Sequence, residues 1–407
     1  MSTKQFNVGL LGFGTVGSAF ATLVEERAAQ IERLTGRLPL LGDALTTTKG
    51  SFEEILEDSE LIVELIGGIE PARQYVLAAL GAGKHVVTAN KQLLSQHGEE
   101  LFDAARAGGA QLRFEAAVAG VVPVIRVLSE SLAGAHVERV HGIVNGTTNF
   151  ILSEMTRGSS YEQALTEAQR QGFAEADPSE DVSGRDAAAK MAILARLAFG
   201  TPVHLDQVPY EGIEHLQTDD LQYARELGLG LKLIGTAERR DGGLSVRVHP
   251  AFLYSGHPLA SVNGPFNAVT VESDAITEIT MSGPGAGGRQ TASAVLGDLV
   301  SAILPQAPPS PPLDPLPLVQ DVQSGFYIHM EVADRPGTLA AVAQLLGDQG
   351  ASIKSVAQHG LGEHARLVMV IHPLAESRLR EALKRIAALD FLRSTPRAIR
   401  VIEEEFM

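Results

Sequence analysis

Residues 6–17 read Phe-Asn-Val-Gly-Leu-Leu-Gly-Phe-Gly-Thr-Val-Gly. An apolar run ends in Gly12-x-Gly14-x-x-Gly17, and an amphipathic stretch follows with Val16, Phe20, Leu23, Ile31 and Leu34 at helical spacing. That is the strand–turn–helix order of a dinucleotide-binding fingerprint. Gly12 permits the tight turn, Gly14 lets backbone approach a pyrophosphate, and Gly17 lets helix and strand pack closely. The helix start offers unpaired N–H groups and a positive dipole end. A plain glycine-rich turn is the alternative; a helix opening directly behind it favours nucleotide binding.

Outward from this turn the first 120 residues alternate strand-like and helix-like segments. Leu61–Ile66 is a continuous apolar strand ending in Gly67-Gly68, and Ala72–Leu80 is helical. Lys84–Asn90 is the next strand, and a polar helix around Glu99–Ala107 precedes Leu112–Ala116. This rhythm predicts a parallel, doubly wound sheet with ligands at the carboxyl ends of its strands. From about residue 121 helical patterns at 121–132, 147–157 and 160–172 mix with strand-like pieces at 137–144, 245–253 and 266–281. The expectation is an α+β region for substrate binding and dimerisation, whose last helix, about 289–303, returns to the first domain. Residues 304–317 carry seven prolines in fourteen positions, a composition that favours an extended spacer. Beyond it the order strand, Asp334–Gly337 turn, helix 338–349, strands 351–359 and 364–372, helix 375–388 and strand 396–402 is a ferredoxin-like βαββαβ unit. The expected division is 1–120, 121–303, a Pro-rich linker at 304–324, and 325–407.

Composition narrows the function. The net charge of −16 is spread along the chain and argues against nucleic acid as a partner. No apolar run reaches the roughly 20 residues of a membrane span, and no basic segment followed by an apolar stretch opens the chain. A cytoplasmic protein without membrane contact is therefore expected. There is no cysteine, so disulfides, thiolate–zinc sites and thioester chemistry are excluded. A cysteine-free nicotinamide enzyme suits alcohol–carbonyl interconversion, in which a hydride and a proton move.

Residues 175–190 concentrate charge in Glu175, Asp177, Glu180, Asp181, Asp186 and Lys190. Asp186 and Lys190 are four apart in an expected helix 186–199 and share a face with Ile193 and Leu197. Lys190 reads either as half of a surface ion pair or as a partly buried lysine poised to exchange a proton with a carbonyl oxygen or hydroxyl. Lys91, just past a strand end, is either an exposed loop lysine or a second active-site cation. Asn145-Gly146-Thr147-Thr148-Asn149 is either a helix cap or a set of hydroxyls and an amide facing a carboxylate. The twelve histidines show no paired-ligand spacing.

Taken together, these strings resemble homoserine dehydrogenases of the long bacterial type with a C-terminal ACT domain. The matching stretches are Gly9–Gly17, Val63–Pro71, Gly83–Lys91, Phe114–Val118, Gly142–Asn149, Ala174–Pro178 and Asp186–Lys190. The resemblance implies a Rossmann-like first domain and NAD(P)-dependent interconversion of L-homoserine and L-aspartate 4-semialdehyde in threonine, methionine and isoleucine biosynthesis. It implies Lys190 as proton donor, Lys91 as its partner and Asp186 as support, with Glu175, Asp181, Gly146 and Thr147 on the substrate. NADP or NAD is expected against Gly12, Phe13, Gly14, Thr15, Val16, Gly17, Thr88, Lys91 and Gly287. A sodium ion is expected at Glu115, Val118, Gly120 and Val122, mainly on backbone carbonyls. The ACT region implies threonine as an effector, with a plain dimerisation module as the alternative, in a homodimer or homotetramer. One departure is that residues 36–47 replace the second strand with a shorter segment, in which Leu38–Leu41 is the expected remnant. Asp43 or Arg37 is the expected ribose contact, and a loosened, exposed sheet edge is anticipated. A non-catalytic amino-acid sensor is the second hypothesis.

Overall fold

The computed structural model describes residues 4–304, 315–360 and 362–402. Most of the proline-rich segment anticipated as a spacer, 305–314, lies outside them. Five parallel strands form the first sheet in the order β2-β1-β3-β4-β5, with β1 at Lys4–Leu11, β2 at Arg37–Leu45, β3 at Leu61–Glu64, β4 at His85–Thr88 and β5 at Leu112–Arg113. The connecting helices are α1 (Thr15–Thr35), α2 (Phe52–Asp58), α3 (Ala72–Gly81) and α4 (Lys91–Gly108). The central strands are apolar almost throughout because helices cover both faces, as parallel sheets require. The order reverses between β1 and β3, and there the crevice for a ligand opens.

The segment around Leu38–Leu41 is a correction. It is no remnant: β2 runs for nine residues and pairs parallel with β1 along its length. A bulge opposite Val8–Leu10 absorbs Gly42 and Asp43. The edge is an ordered strand, and Pro39 is tolerated in it because an edge strand has one unpaired side.

A nine-stranded mixed sheet follows in the order β10-β9-β6-β7-β8-β14-β11-β13-β12. Its first part contains β6 (Val137–Ile143), β7 (Leu229–Arg240), β8 (Gly243–Tyr254), β9 (Phe266–Ser273) and β10 (Thr277–Pro284). The expected single strand at 266–281 is thus an antiparallel hairpin. The expected helix at 121–132 is also corrected. Only α5 (Val124–Arg126) and a π-helical turn at Val127–Ser131 form, behind Pro123. Helices α6 (Gly146–Thr156), α7 (Tyr161–Arg170), α8 (Ser179–Val182), α9 (Arg185–Phe199) and α10 (Thr218–Glu226) belong to this region. α9 packs on β7 where Gly235 leaves room for Met191. α11 (Gly288–Ile303) returns to the first sheet, burying Ala292, Val295 and Leu299 in the same core as Phe20 and Leu23 of α1.

The C-terminal strands β11 (Gln323–Val332), β12 (Ile353–His359), β13 (Ala365–Ala375) and β14 (Arg397–Ile402), with α12 (Thr338–Asp348) and α13 (Glu376–Ile386), make the βαββαβ unit. It does not stand apart. β14 pairs parallel with β8 through Arg400–Ile402, and Phe252 meets Tyr327 edge-on across the join, with ring centres 5.0 Å apart. Among the described residues no helix is long and apolar enough to cross a membrane.

Candidate active site

The glycine turn is built as a phosphate cradle. Gly12 has φ 97°, and a Cβ there would lie 2.5 Å from the Leu65 carbonyl; one on Gly17 would lie 2.2 Å from the Gly12 carbonyl. Gly14 faces open space, caps α1 without a side-chain acceptor, and no acidic residue occupies the first turn. The N-terminal N–H groups and dipole of α1 are thereby left for an anion. Phe13 and Thr15 are exposed and Val16 is half-buried beside them. The loop at 285–288 closes over this point, since a Cβ on Gly288 would meet the Thr15 methyl at 2.8 Å. Gly287 thus lies beside the helix start, and the residues fit a dinucleotide.

Below the cradle, Thr88 is fully buried and its hydroxyl donates to Glu64 at 2.6 Å. Glu64 also accepts from the N–H groups of Ile66 and Gly67 at 2.8 and 3.1 Å, which makes its burial tolerable. The Thr88 hydroxyl is therefore committed to shaping the loop after β3. The two ribose candidates are corrected. Arg37 lies at the amino end of β2, bound to Glu60 at 2.7 Å, and Asp43 sits in the bulge. The carboxyl end of β2 is Leu45, whose carbonyl accepts from Gly12 N–H at 2.9 Å, so Thr46–Lys49 adjoin the cradle.

Asn90 caps α4 by accepting from Leu93 N–H, and Lys91 projects from the first turn. Its ammonium is ion-paired with one oxygen of Asp186, which is 1 % exposed. The other oxygen takes Lys190 at 2.7 Å, and the Lys190 ammonium also donates to the Val144 carbonyl at 2.8 Å. One buried carboxylate thus serves two ammonium groups. Burial pushes the Asp186 carboxyl up, but the two cations outweigh it and hold it well below the usual carboxylate range. Burial pulls Lys190 down, the Lys91 charge adds to this, and Asp186 offsets it only in part. For Lys91 burial also lowers, but Asp186, Asp181 and Glu180 together raise it. The pair is therefore split, and Lys190 is the readier acid.

Asn145 does both things that its motif offered, though the carboxylates it meets belong to the protein itself. Its carbonyl oxygen caps α6 at Thr148 N–H, as the motif allowed, while its amide donates to Asp181 at 2.7 Å and Asp186 at 2.9 Å. Which carboxylates the amide would meet has no local signal; only the chain path brings α6 to α8 and α9. The Thr147 hydroxyl is turned to the Phe173 carbonyl at 2.7 Å, and Gly146 presses on the Pro265 carbonyl. Asp181 joins the cluster through Asn145, whereas Glu175 lies exposed in the loop before α8.

Glu115, Val118, Gly120 and Val122 are all buried or nearly so in one tight loop. Ala119 and Gly120 have φ 58° and 66°, and a Cβ on Gly120 would lie 2.5 Å from the Gly285 carbonyl. Both Glu115 oxygens are occupied, accepting from Ile125 and Arg126 N–H at 2.9 Å. A cation here would thus rest on backbone carbonyls, the ligand type that suits a hard ion. Among the described residues no group of three or more His, Asp or Glu side chains is placed to hold a metal.

Family models described as homoserine dehydrogenase, NAD binding domain, as homoserine dehydrogenase, and as ACT domain match residues 12–115, 123–300 and 326–391. The chain is 42% identical to a homoserine dehydrogenase of Corynebacterium glutamicum, covering 97% of this chain and 95% of that one. A solved homoserine dehydrogenase from Thiobacillus denitrificans superposes with a TM-score of 0.94 at 37% identity, over 98% of this chain and 99% of that one. A hyperthermophilic archaeal homoserine dehydrogenase solved with NADPH superposes with a TM-score of 0.65 at 28% identity, over 75% of this chain and 99% of that one.

Proposed function

Because this chain belongs to the homoserine dehydrogenase family of NAD(P)-dependent oxidoreductases, we propose that Lys190 is the proton donor as L-aspartate 4-semialdehyde is reduced to L-homoserine. The observation that carries this is the sharing of buried Asp186 by Lys91 and Lys190, on the carboxyl-end side of the parallel sheet from which the glycine cradle also rises. A bound nicotinamide would supply a hydride to the aldehyde carbon, or take one from the carbinol carbon in the reverse direction. Asp186 fixes both ammonium groups, and Lys190, the readier acid, delivers its proton to the developing alkoxide. Lys91 holds positive charge beside that oxygen, and Asp181 with Glu175 receives the substrate ammonium. Gly146 and Thr147 line the same pocket. The 285–288 loop and the turn at 12–17 hold the cofactor.

Further parts of the reading are a nucleotide-binding region over 1–120, a substrate and dimerisation region over 121–303, a linker at 304–324 and an ACT region beyond. A sodium ion on the carbonyls of Glu115, Val118, Gly120 and Val122 would brace the loop between them. Threonine acting on the ACT region would slow the enzyme as an end product. A homodimer or homotetramer in the cytoplasm fits a cysteine-free biosynthetic enzyme. A non-catalytic sensor is disfavoured, because the cradle, β2 and the lysine–aspartate cluster are intact.

The test is direct. Full-length protein with NADPH or NADH is titrated by nicotinamide fluorescence, then given L-aspartate 4-semialdehyde. Saturable binding and consumption of at least one reduced cofactor are expected; binding and consumption of neither NADPH nor NADH sinks the reading.

A further inference from the structure

Lys232 lies within β7 with 3 % of its surface exposed, and among the described residues no carboxylate pairs with it. Its ammonium is held by oxygens of neutral groups: the Val262 carbonyl, the side-chain carbonyl of Asn149 at 3.2 Å and that of Asn263 at 3.2 Å. Burial alone pulls it down to about 8. A buried cation without a counter-charge is costly, and hydrogen bonds from oxygen dipoles offset that cost only where the geometry is tight.

The geometry here is tight because one loop is being fastened. Asn149 donates to the carbonyls of Val262, Gly264 and Phe266 at 3.2, 2.9 and 3.2 Å. The Pro265 carbonyl in the same loop accepts from Gly285 N–H at 3.1 Å and leaves no room for a side chain at Gly146. The loop therefore touches both edges of the reaction space: the 285–288 segment over the cradle and the start of α6 beside Asn145.

We propose that Lys232 is a positioning residue for the dehydrogenase reaction, its ammonium tying Asn149 to the 262–266 loop so that Gly285 and Gly146 are held at the cofactor and substrate edges. Lys232 touches neither reactant; it acts through the loop. This rests on the dehydrogenase reading above. A wild-type protein that fails to bind NADPH defeats that reading, whereas the present inference is judged only between an active wild type and its variants.

The experiment compares full-length wild type, Lys232→Met and Asn263→Ala. Methionine keeps the buried stem and removes the charge. Exposed Asn263 gives up one oxygen with little risk to folding. Displacing groups by a fraction of an ångström costs rate and affinity. Lys232→Met should weaken NADPH binding about tenfold, shift the bound-cofactor fluorescence and lower turnover about tenfold. Asn263→Ala should move all three in the same direction by about two- to threefold. A merely structural role would lower the active fraction and leave the NADPH dissociation constant and emission of the folded protein unchanged. That outcome in Lys232→Met overturns the proposal. Should Lys232→Met not fold, unchanged NADPH binding in Asn263→Ala overturns it instead.

Discussion

Lys91 and Asp186 stand 95 positions apart in the chain and form an ion pair. One begins α4, under the carboxyl ends of the parallel sheet. The other begins α9, which packs on the mixed sheet. The pair ties one region to the other on the carboxyl-end side of the parallel sheet, the side on which the glycine cradle also lies. Asp186 spends one oxygen on each ammonium, while burial falls more heavily on Lys190 and lowers it, the basis on which Lys190 is proposed as the acid.

Replacing Lys190 with methionine removes the proposed donor and leaves the residues of the cradle in place. Turnover in semialdehyde reduction should fall by about 10²- to 10⁴-fold, the usual worth of a positioned general acid. The NADPH dissociation constant, from fluorescence titration, should change little. Near-normal turnover would falsify the assigned role.

The pH profile follows from the lowered Lys190. Reduction requires the protonated ammonium, so its rate declines as pH rises through that lowered value, earlier than for an ordinary lysine. Homoserine oxidation requires the neutral amine and should rise over the same range. Lys91→Met deletes a charge that helps to lower Lys190, so the alkaline limb should move to higher pH in the residual activity. A limb that stays in place assigns it to another group.

Asp186 makes a stability prediction of defined sign. Its carboxyl is held below the ordinary value, so its contribution is complete above about pH 4 and is lost as pH falls through the lower folded value. Asp186→Asn should be clearly less stable than wild type at neutral pH, and the gap should narrow only below about pH 4. Denaturant midpoints measured at several pH values check this; a gap that is constant into acid contradicts it.

Cofactor choice should favour NADPH. No acidic side chain follows Leu45 at the end of β2, Asp43 being two positions earlier in the bulge, and Thr46–Lys49 follow Leu45 beside Gly12. A cation there accommodates a 2′-phosphate, whereas an acid would repel it. Lys49→Glu should weaken NADPH binding about tenfold and NADH binding far less. Equal effects on both cofactors would place Lys49 away from the ribose.

Removing residues 305–407 strips β8 of its partner β14 and uncovers Phe252, so the truncated protein should melt at lower temperature and associate through the exposed edge. A gentler probe of regulation is Arg397, which binds buried Asp220 of α10 at 2.9 Å and also meets His329 at 2.9 Å. Arg397→Met should retain turnover and blunt inhibition by millimolar threonine. Undiminished inhibition in that variant rules out the Arg397–Asp220 contact as the route.

The amino-acid order by itself determined what depends on neighbours within a few residues. The Gly12–Gly17 turn, the βα rhythm, the βαββαβ order and the Asp186–Lys190 spacing are set by backbone geometry and by periods of two and 3.6. Asn145 as a cap belongs there too. The tertiary structure alone decided that Asn145 also bridges Asp181 and Asp186, that Lys91 reaches Asp186, that β2 runs to Leu45, and that β14 joins β8. An edge strand with Pro39, Gly42 and Asp43 carries little periodicity of its own, and its length comes from hydrogen bonds to β1. Lys232 shows the same limit, for a lysine inside a strand has no local mark to say that Asn149, 83 positions earlier, will hold it. Contacts of that range are fixed by the path of the chain, because segments distant in sequence meet only once packing has brought their carriers together.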